Sequence, residues 1–501
     1  MQLPPIYAMI CGLVFDTQFK TVEIRETPMD VSKLYRYWGL LALFVWGALA
    51  ISLNMLRFDA LGIDESAARA LLLNWTVADR VVNPIVTLGV PDFRALLFLP
   101  LGAYWTGSFI AVKIFMLIVL FTATTLIYRW CKHHQDAESA LLASGLLLIA
   151  PLSLMQINAI GSGPFLLLGF AVGFWLNQKY RKSGKQLSGW YFSQLLLIIT
   201  LISIHPAGLA YPLALAWEWR INSTDGKERR QYYIGISIAI LFSLLFSYLL
   251  GRPAFDWLVN PLSTLGSAAL GHIPGDPKPV YWTSGIIPAI IVIVVIFFQR
   301  QAIMKDLLLR MLLLGSLLGL AAADYGWAMI VLALVFYSGI PLLIRANSGM
   351  GGQGFAGQRG IVMAAIFIIA TLFMVADRGH RSGVISNMVT PHDEIIKALA
   401  DETAEIKDDF YTISQWPART MLATKRPVFP LPPKFESAEE LLKNIDKIDF
   451  ILFDPSDPKQ KHFRDQISVL NMSIETLIQQ PNGVILKVRR KEQGEKASPI
   501  L

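Results

Sequence analysis

The chain has 501 residues, 54% of them hydrophobic and only 16% charged, and its mean hydropathy is +0.49. Soluble globular proteins carry about 25% charged residues, so a soluble globular fold is excluded. The net charge of +7 is modest and forms no basic stripe interleaved with aromatics, which argues against a nucleic-acid partner.

The N-terminal apolar stretch from Pro4 to Phe15 is too short to span a bilayer and lacks a cleavable-signal pattern. Beyond it, apolar runs of roughly 17 to 22 residues recur, the length a helix needs to cross a ~30 Å hydrocarbon core. Spans are predicted near 37–56, 108–128, 139–157, 160–177, 190–204, 207–219, 232–250, 283–299, 307–323, 326–344 and 360–376. The expected architecture is a polytopic α-helical membrane bundle of about 11 transmembrane helices. Lys20, Arg25, Lys33 and Arg36 precede the first span. Basic residues also follow every even-numbered one: Arg129 and Lys132, then Arg181 and Lys182, Arg229 and Arg230, Arg300 and Lys305, and Arg345 and Arg359. The positive-inside rule therefore puts segment 1–36 in the cytoplasm and loops 57–107 and 251–282 outside. Cys11 and Cys131 both fall on the cytoplasmic side and imply neither a disulfide framework nor a metal site.

The Gly-rich segment from Ser348 to Gly360 lacks the preceding strand and the Gly-Lys-Ser/Thr ending of a phosphate loop, so it reads as a flexible linker. The bundle, 37–376, gives way to a polar tail, 377–501, placed outside. There, amphipathic stretches (Asp393 to Ile406, Ser437 to Ile445) alternate with β-rich runs at Phe410–Ile413, Phe450–Phe453 and Val484–Val488. Pro-rich turns separate them, which predicts a small C-terminal extracytoplasmic α/β domain.

Polar groups in the outer loops are the candidates for chemistry. The first loop carries Asp59, then Asp64 and Glu65 before an amphipathic stretch, Glu65 to Trp75, expected to lie along the interface. Asp64 can serve as that helix's cap, with Glu65 favouring its first turn; both can equally take part in catalysis. Arg69, Asp79, Asp92 and Arg94 follow. His205, between two apolar runs, reads either as a buried hydrogen-bonded histidine or as a proton carrier. The second loop adds Arg252, Asp256, His272, Asp276, Lys278, Tyr281 and Trp282. Tyr281 and Trp282 also fit an ordinary aromatic belt. No HExxH, paired His/Cys set or Ser-centred elbow occurs, which removes support for zinc and hydrolase chemistry.

The layout resembles the GT-C glycosyltransferases, in particular the protein-mannosyltransferase-like branch that includes the lipid A aminoarabinose transferase. Gly62-Ile63-Asp64-Glu65-Ser66-Ala67-Ala68-Arg69-Ala70 is similar to the family's Asp-Glu segment, and Pro91 to Trp105 to its proline-aromatic return to the membrane. Ile204-His205-Pro206-Ala207-Gly208 resembles a Lys-Gly-Pro segment with His for Lys. His272-Ile273-Pro274 through Tyr281-Trp282 resembles the second outer loop, and Tyr411 to Ala418 with Lys425-Arg426-Pro427 the terminal domain. The chain departs from the family where Asn158-Ala159-Ile160-Gly161-Ser162-Gly163 replaces a frequent acidic residue, and where Ala323-Asp324-Tyr325 replaces a Ser/Lys pair. Either the head groups differ or activity has been lost.

The resemblance implies transfer of a sugar from a polyprenyl-phosphate-linked donor in the bacterial inner membrane to an acceptor (glycan, lipid or protein) on the outer face. It makes Asp64, with Glu65, the catalytic pair, Asp64 being the general base. It makes Asp59, Arg69, Arg94, His205, His272, Lys278 and Tyr281 the substrate-binding candidates. Some members use a divalent cation and others do not; this sequence offers no clean ligand set, so no metal or other cofactor is expected. The alternative is a catalytically degenerate GT-C-like scaffold in a membrane assembly. A transporter would show paired broken helices in two repeats, and no such repeat is visible.

Overall fold

The computed structural model describes residues 62–79, 93–98, 109–134, 137–183, 189–222, 226–249, 279–321, 325–341, 391–406, 410–431, 448–455, 457, 465, 474–480 and 483–488. The chain divides into two compact units, Met1–Ala42 and Leu43–Leu501, and every described residue lies in the second. The predicted spans 37–56 and 360–376, and most of loops 57–107 and 251–282, fall outside the described residues.

After α1 (Glu65–Asp79) and the short α2 (Arg94–Phe98) come α3 (Ile110–His134), α4 (Ala137–Ile149), α5 (Pro151–Asn158), α6 (Gly163–Ser183) and α7 (Gly189–Ile204). They are followed by a 3-10 turn at Pro206–Leu209, α8 (Ala210–Asn222), α9 (Gly226–Leu249), α10 (Pro279–Lys305), α11 (Leu307–Leu318) and α12 (Tyr325–Leu334), which runs on into a π turn at Val335–Gly339. The remaining predicted spans all fall on these helices. Among the described residues, however, only α3 is long and apolar enough to cross a membrane by itself; α4 and α5 pass together as one span bent by 50°. The predicted count of eleven is therefore not reproduced. At 1.5 Å per residue, 16-residue α7 reaches only about 24 Å, short of a ~30 Å core, whereas α6 and α10, with 21 and 27 residues, have the length to cross one.

Lipid-facing character is nonetheless written on the surface. Ile286, Ile290, Ile293 and Phe297 recur at helical spacing on α10 and are exposed, Phe297 by 67%. A stripe of that kind on a water-facing helix would be an aggregation liability; facing acyl chains it needs no cover.

The bend between α4 and α5 follows from Pro151. Proline has no N–H for the Leu147 carbonyl, and it forces Ala150 into extended backbone (φ −55°, ψ 131°). The Ser153 hydroxyl donates to the orphaned Leu147 carbonyl instead.

The ends of the second, fourth and sixth predicted spans meet the turn after the eighth. Trp130 Nε1, late in α3, donates to Asp306 Oδ2 at 3.0 Å, and Asp306 caps α11 by accepting from the Leu308 and Leu309 N–H groups. Arg181 of α6 reaches Glu218 of α8 at 2.8 Å, and buried Arg310 of α11 closes on the same carboxylate. Among the described residues, the basic exits of the second, fourth and eighth predicted spans thus share one end of the bundle.

At the tail, α13 (Pro391–Thr403), β1 (Thr412–Ser414), α14 (Pro417–Thr424), β2 (Val428–Pro430), β3 (Phe450–Phe453), β4 (Ile474–Gln480) and β5 (Gly483–Val488) build one mixed sheet of order β2-β1-β3-β5-β4. β1 pairs parallel with both β2 and β3, while β5 pairs antiparallel with β3 and β4. All three predicted β runs lie in this sheet. β3 is central and buried on both faces, which is why Phe450-Ile451-Leu452-Phe453 is apolar without alternation. Phe450 and Leu452 face Ile395, Ile396 and Leu399 of α13, and Ile451 and Phe453 face the opposite layer with Val484 and Leu486.

The sheet is not a free appendage. Ala418, Met421 and Leu422 of α14 belong to the same apolar cluster as the helix bundle. α1, expected along the membrane interface, buries its apolar face in the protein: Ala67, Ala68, Ala70, Leu71 and Leu72 are buried, and α14 and α2 pack on the helix.

Candidate functional site

The loop ahead of α1 is fixed by backbone geometry before any side chain is considered. Gly62 has φ 78°, a left-handed conformation that costs glycine nothing. Its N–H donates to Asp393 Oδ2 of α13 at 2.9 Å. The Asp64 N–H donates to the Ala159 carbonyl at 2.9 Å, and its own carbonyl accepts from Ala68 N–H, starting α1. The loop ahead of α1 is therefore held between the tail and the α5–α6 turn.

That turn is strained. Ile160 sits at φ 55°, a true outlier for a β-branched residue. Gln156 supports it: its carbonyl accepts from Gly161 N–H at 2.8 Å and its Oε1 from Gly163 N–H at 2.9 Å. A Cβ at Gly161 would overlap the Gln156 amide, which would have to move from its place at Gly163 N–H. Arg94 locks the arrangement from α2. Its Nη1 donates to the Ile160 carbonyl at 2.8 Å and its Nη2 lies 3.4 Å from Asp64 Oδ2. Arg94 is 2% exposed and the Asp64 side chain 48%, so a buried cation holds one side of a carboxylate whose other side is open. Backbone strain of this kind clusters at functional sites because the surroundings must over-determine it.

Glu65 is occupied differently. Oε1 accepts from Ala418 N–H at 2.9 Å and Oε2 from Arg419 N–H at 3.1 Å, both in the first turn of α14. The positive end of that helix favours a carboxylate. Burial raises the Glu65 carboxyl above the usual carboxylate range, opposed by the two N–H groups and by Arg69. Beside it, Arg419 pairs with buried Asp393, the acceptor of Gly62 N–H. His392 stacks on Trp416 with centroids 4.2 Å apart and lies 3.4 Å from Asp454 Oδ2; burial, then the Arg419 charge, push its pKa down.

Of the other residues singled out from sequence, half-exposed Arg69 lies one turn along α1, its Nε 3.8 Å from Glu65 Oε1. His205 is buried, and its Nδ1 accepts from Ala207 N–H at 3.0 Å, capping the 3-10 turn. A Cβ at Gly208 there would overlap the Leu201 backbone, so this break between α7 and α8 is tightly packed. The geometry gives His205 a local structural bond and, among the described candidates, brings Arg94, Arg69 and Glu65 to the Asp64 loop. Tyr281 falls in the first turn of α10, where the structure describes backbone alone, and Asp59, His272 and Lys278 lie outside the described residues. Among the described residues no three His, Cys, Asp or Glu side chains converge as metal ligands.

Sequence reading missed Lys113. It is fully buried in the first turn of α3, the helix whose Phe115 packs with Phe98 of α2 and Phe165 of α6 at centroid distances of 6.1 to 6.5 Å. The signal was available: Lys113 is the one charge between Phe109 and Tyr128. An ionisable side chain within a membrane span is expensive and usually functional.

No protein-family profile and no curated protein sequence matches the chain. Solved structures do match. ArnT from Cupriavidus metallidurans bound to undecaprenyl phosphate superposes with a TM-score of 0.51 at 12% identity, covering 92% of this chain and 98% of that one. An Archaeoglobus fulgidus oligosaccharyltransferase tethered to an acceptor peptide gives 0.50 at 11% identity, covering 84% and 70%. At such identities the likeness is one of fold, and it extends over nearly the whole chain.

Proposed function

We propose, from the premise that this chain has the fold of the GT-C membrane glycosyltransferases, that it transfers a sugar from a polyprenyl-phosphate donor to an acceptor at the outer membrane face. The observation that carries this reading is the half-exposed Asp64 carboxylate, pinned by buried Arg94 against a strained turn. Asp64 accepts the proton of the acceptor hydroxyl or amine as that atom bonds to the sugar's anomeric carbon. The bond from that carbon to the phosphate oxygen breaks with inversion, and its electron pair leaves on the polyprenyl phosphate. Arg69, with Lys278 from the second loop, is assigned to neutralise the departing charge; a preorganised cation in a dry site is worth far more than in water. Arg94 holds Asp64 in place.

Purified protein in nanodiscs, given a synthetic polyprenyl-phosphate sugar and membrane-derived acceptors, is expected to consume the donor. Because the charge-neutralising groups assigned are side chains, a chelator should leave the rate within about twofold. Donor consumption stopped by chelation would move the assignment to a metal. The degenerate-scaffold reading is favoured by one observation, the use of Glu65 as a tether to α14. It predicts donor binding without turnover.

The reading also places the tail outside a bacterial inner membrane and the basic helix ends in the cytoplasm. A cysteine at Ser183, late in α6, should label only from the cytoplasmic side, and one at Ser456 only from the outside. Labelling of both from one side would refute this topology.

A further inference from the structure

We infer that the C-terminal α/β domain is a positioning module for Asp64, and that its own ligand crevice is filled in cis by Glu65. In the order β2-β1-β3, β1 leads through α14 to β2 on one side, while β3 lies on the other. The chain therefore reverses direction across the sheet at β1, and in open α/β sheets ligands bind at such a switch point, outside the carboxyl ends of the strands. α14 begins there, just after β1, and since Pro417 has no N–H, Ala418 and Arg419 supply its first two donors. In related architectures that position receives an anion from solution. Here it receives one from residue 65, more than 350 positions earlier in the chain: the carboxylate takes both the Ala418 and Arg419 N–H groups.

A second tie runs parallel to the first. Asp393, buried on α13, accepts from Gly62 N–H through one oxygen and from Arg419 through the other. The two bonds bracket Asp64 at positions 62 and 65, and both end on the tail. The bundle holds Asp64 by the Ala159 carbonyl and by Arg94. Asp64 thus sits at a joint between two bodies, and the orientation of its carboxylate depends on the tail remaining docked. Glu65, Asp393 and Arg419 are positioning residues. This inference rests on the proposed role of Asp64.

The test uses full-length protein in nanodiscs and compares Glu65→Ala with Glu65→Gln. Amide exchange at Gly62 and Asp64 reports the clamp, and kcat and KM with the polyprenyl-phosphate sugar report the chemistry. Glu65→Ala should raise exchange at both amides at least tenfold. It should lower kcat by about 10²-fold with the donor KM unchanged, as expected when a reacting group is displaced by about 1 Å. Glu65→Gln keeps an oxygen for the Ala418 N–H and should restore most of both. Asp393→Asn, which keeps an acceptor for Gly62 but drops the charge facing Arg419, should move exchange and kcat in the same direction as Glu65→Ala. Unchanged exchange in Glu65→Ala overturns the clamp. Gln as inactive as Ala, with exchange at the wild-type level, overturns it too and makes Glu65 a catalytic residue. Asp64→Asn run alongside separates the premises: normal transfer in that variant ends the base assignment, while the exchange data still decide the clamp.

Discussion

Asp64→Asn is expected to cut sugar transfer by roughly 10²-fold or more while leaving the fold intact. The substitution keeps the side chain's size and an oxygen for Arg94 Nη2. The backbone bonds from Asp64 N–H to Ala159 and from Ala68 N–H to Asp64 do not involve the side chain at all. What disappears is the capacity to take a proton. A carboxamide cannot serve as base, so the loss should fall on kcat, with donor KM little changed. Transfer at the wild-type rate in this variant would end the base assignment and shift weight to the scaffold reading. The thermal transition should stay within a few degrees, which separates lost chemistry from lost structure.

Glu218→Leu is expected to destabilise the bundle by about 3–5 kcal/mol. Glu218 is shared by Arg181, 49% exposed, and Arg310, 3% exposed at its side chain. Arg181 can return to solvent when the carboxylate is removed. Arg310 cannot: it is buried beside α8, and its remaining bond is from Nε to the Asp306 carbonyl at 3.3 Å. Removing one partner of a buried pair leaves an uncompensated charge, whereas removing both costs far less. The double variant Glu218→Leu/Arg310→Met should therefore recover most of the loss. Equal destabilisation in the single and double variants would show that the cluster acts through packing alone. Unfolding in detergent, followed by loss of helical circular dichroism, reads both.

How much of this was legible in the sequence depends on the range over which the physics acts. The helices were visible as apolar runs, because crossing or approaching a membrane demands continuous apolar length. The three β runs of the tail were visible because Pro-rich turns bound them. Asp64 and Arg94 stood out as charges in one loop, though their contact, 30 residues apart, did not. Lys113 was passed over because one lysine barely lowers the hydropathy of a long run; the cost of burying its charge was the better signal. Glu65 shows the limit most clearly. It was grouped with Asp64 by adjacency, yet its carboxylate bonds to Ala418 and Arg419, a pairing that no local periodicity encodes. α1 shows the same limit: its apolar face suits an interface and a tail helix equally well, and only the tertiary fold shows that α14 packs on it.

The broken helix pair α4–α5 has a consequence for chain length. Each residue added to α5 would turn its far end by about 100° and carry it forward by ~1.5 Å. The carbonyls of Ala159 and Ile160, which hold the Asp64 backbone and the Arg94 guanidinium, would then point elsewhere. The stretch from Pro151 to Gly163 is thus a ruler of fixed length. A single insertion or deletion there would put the Asp64 loop out of register with the bundle, while every side chain in it remained unchanged.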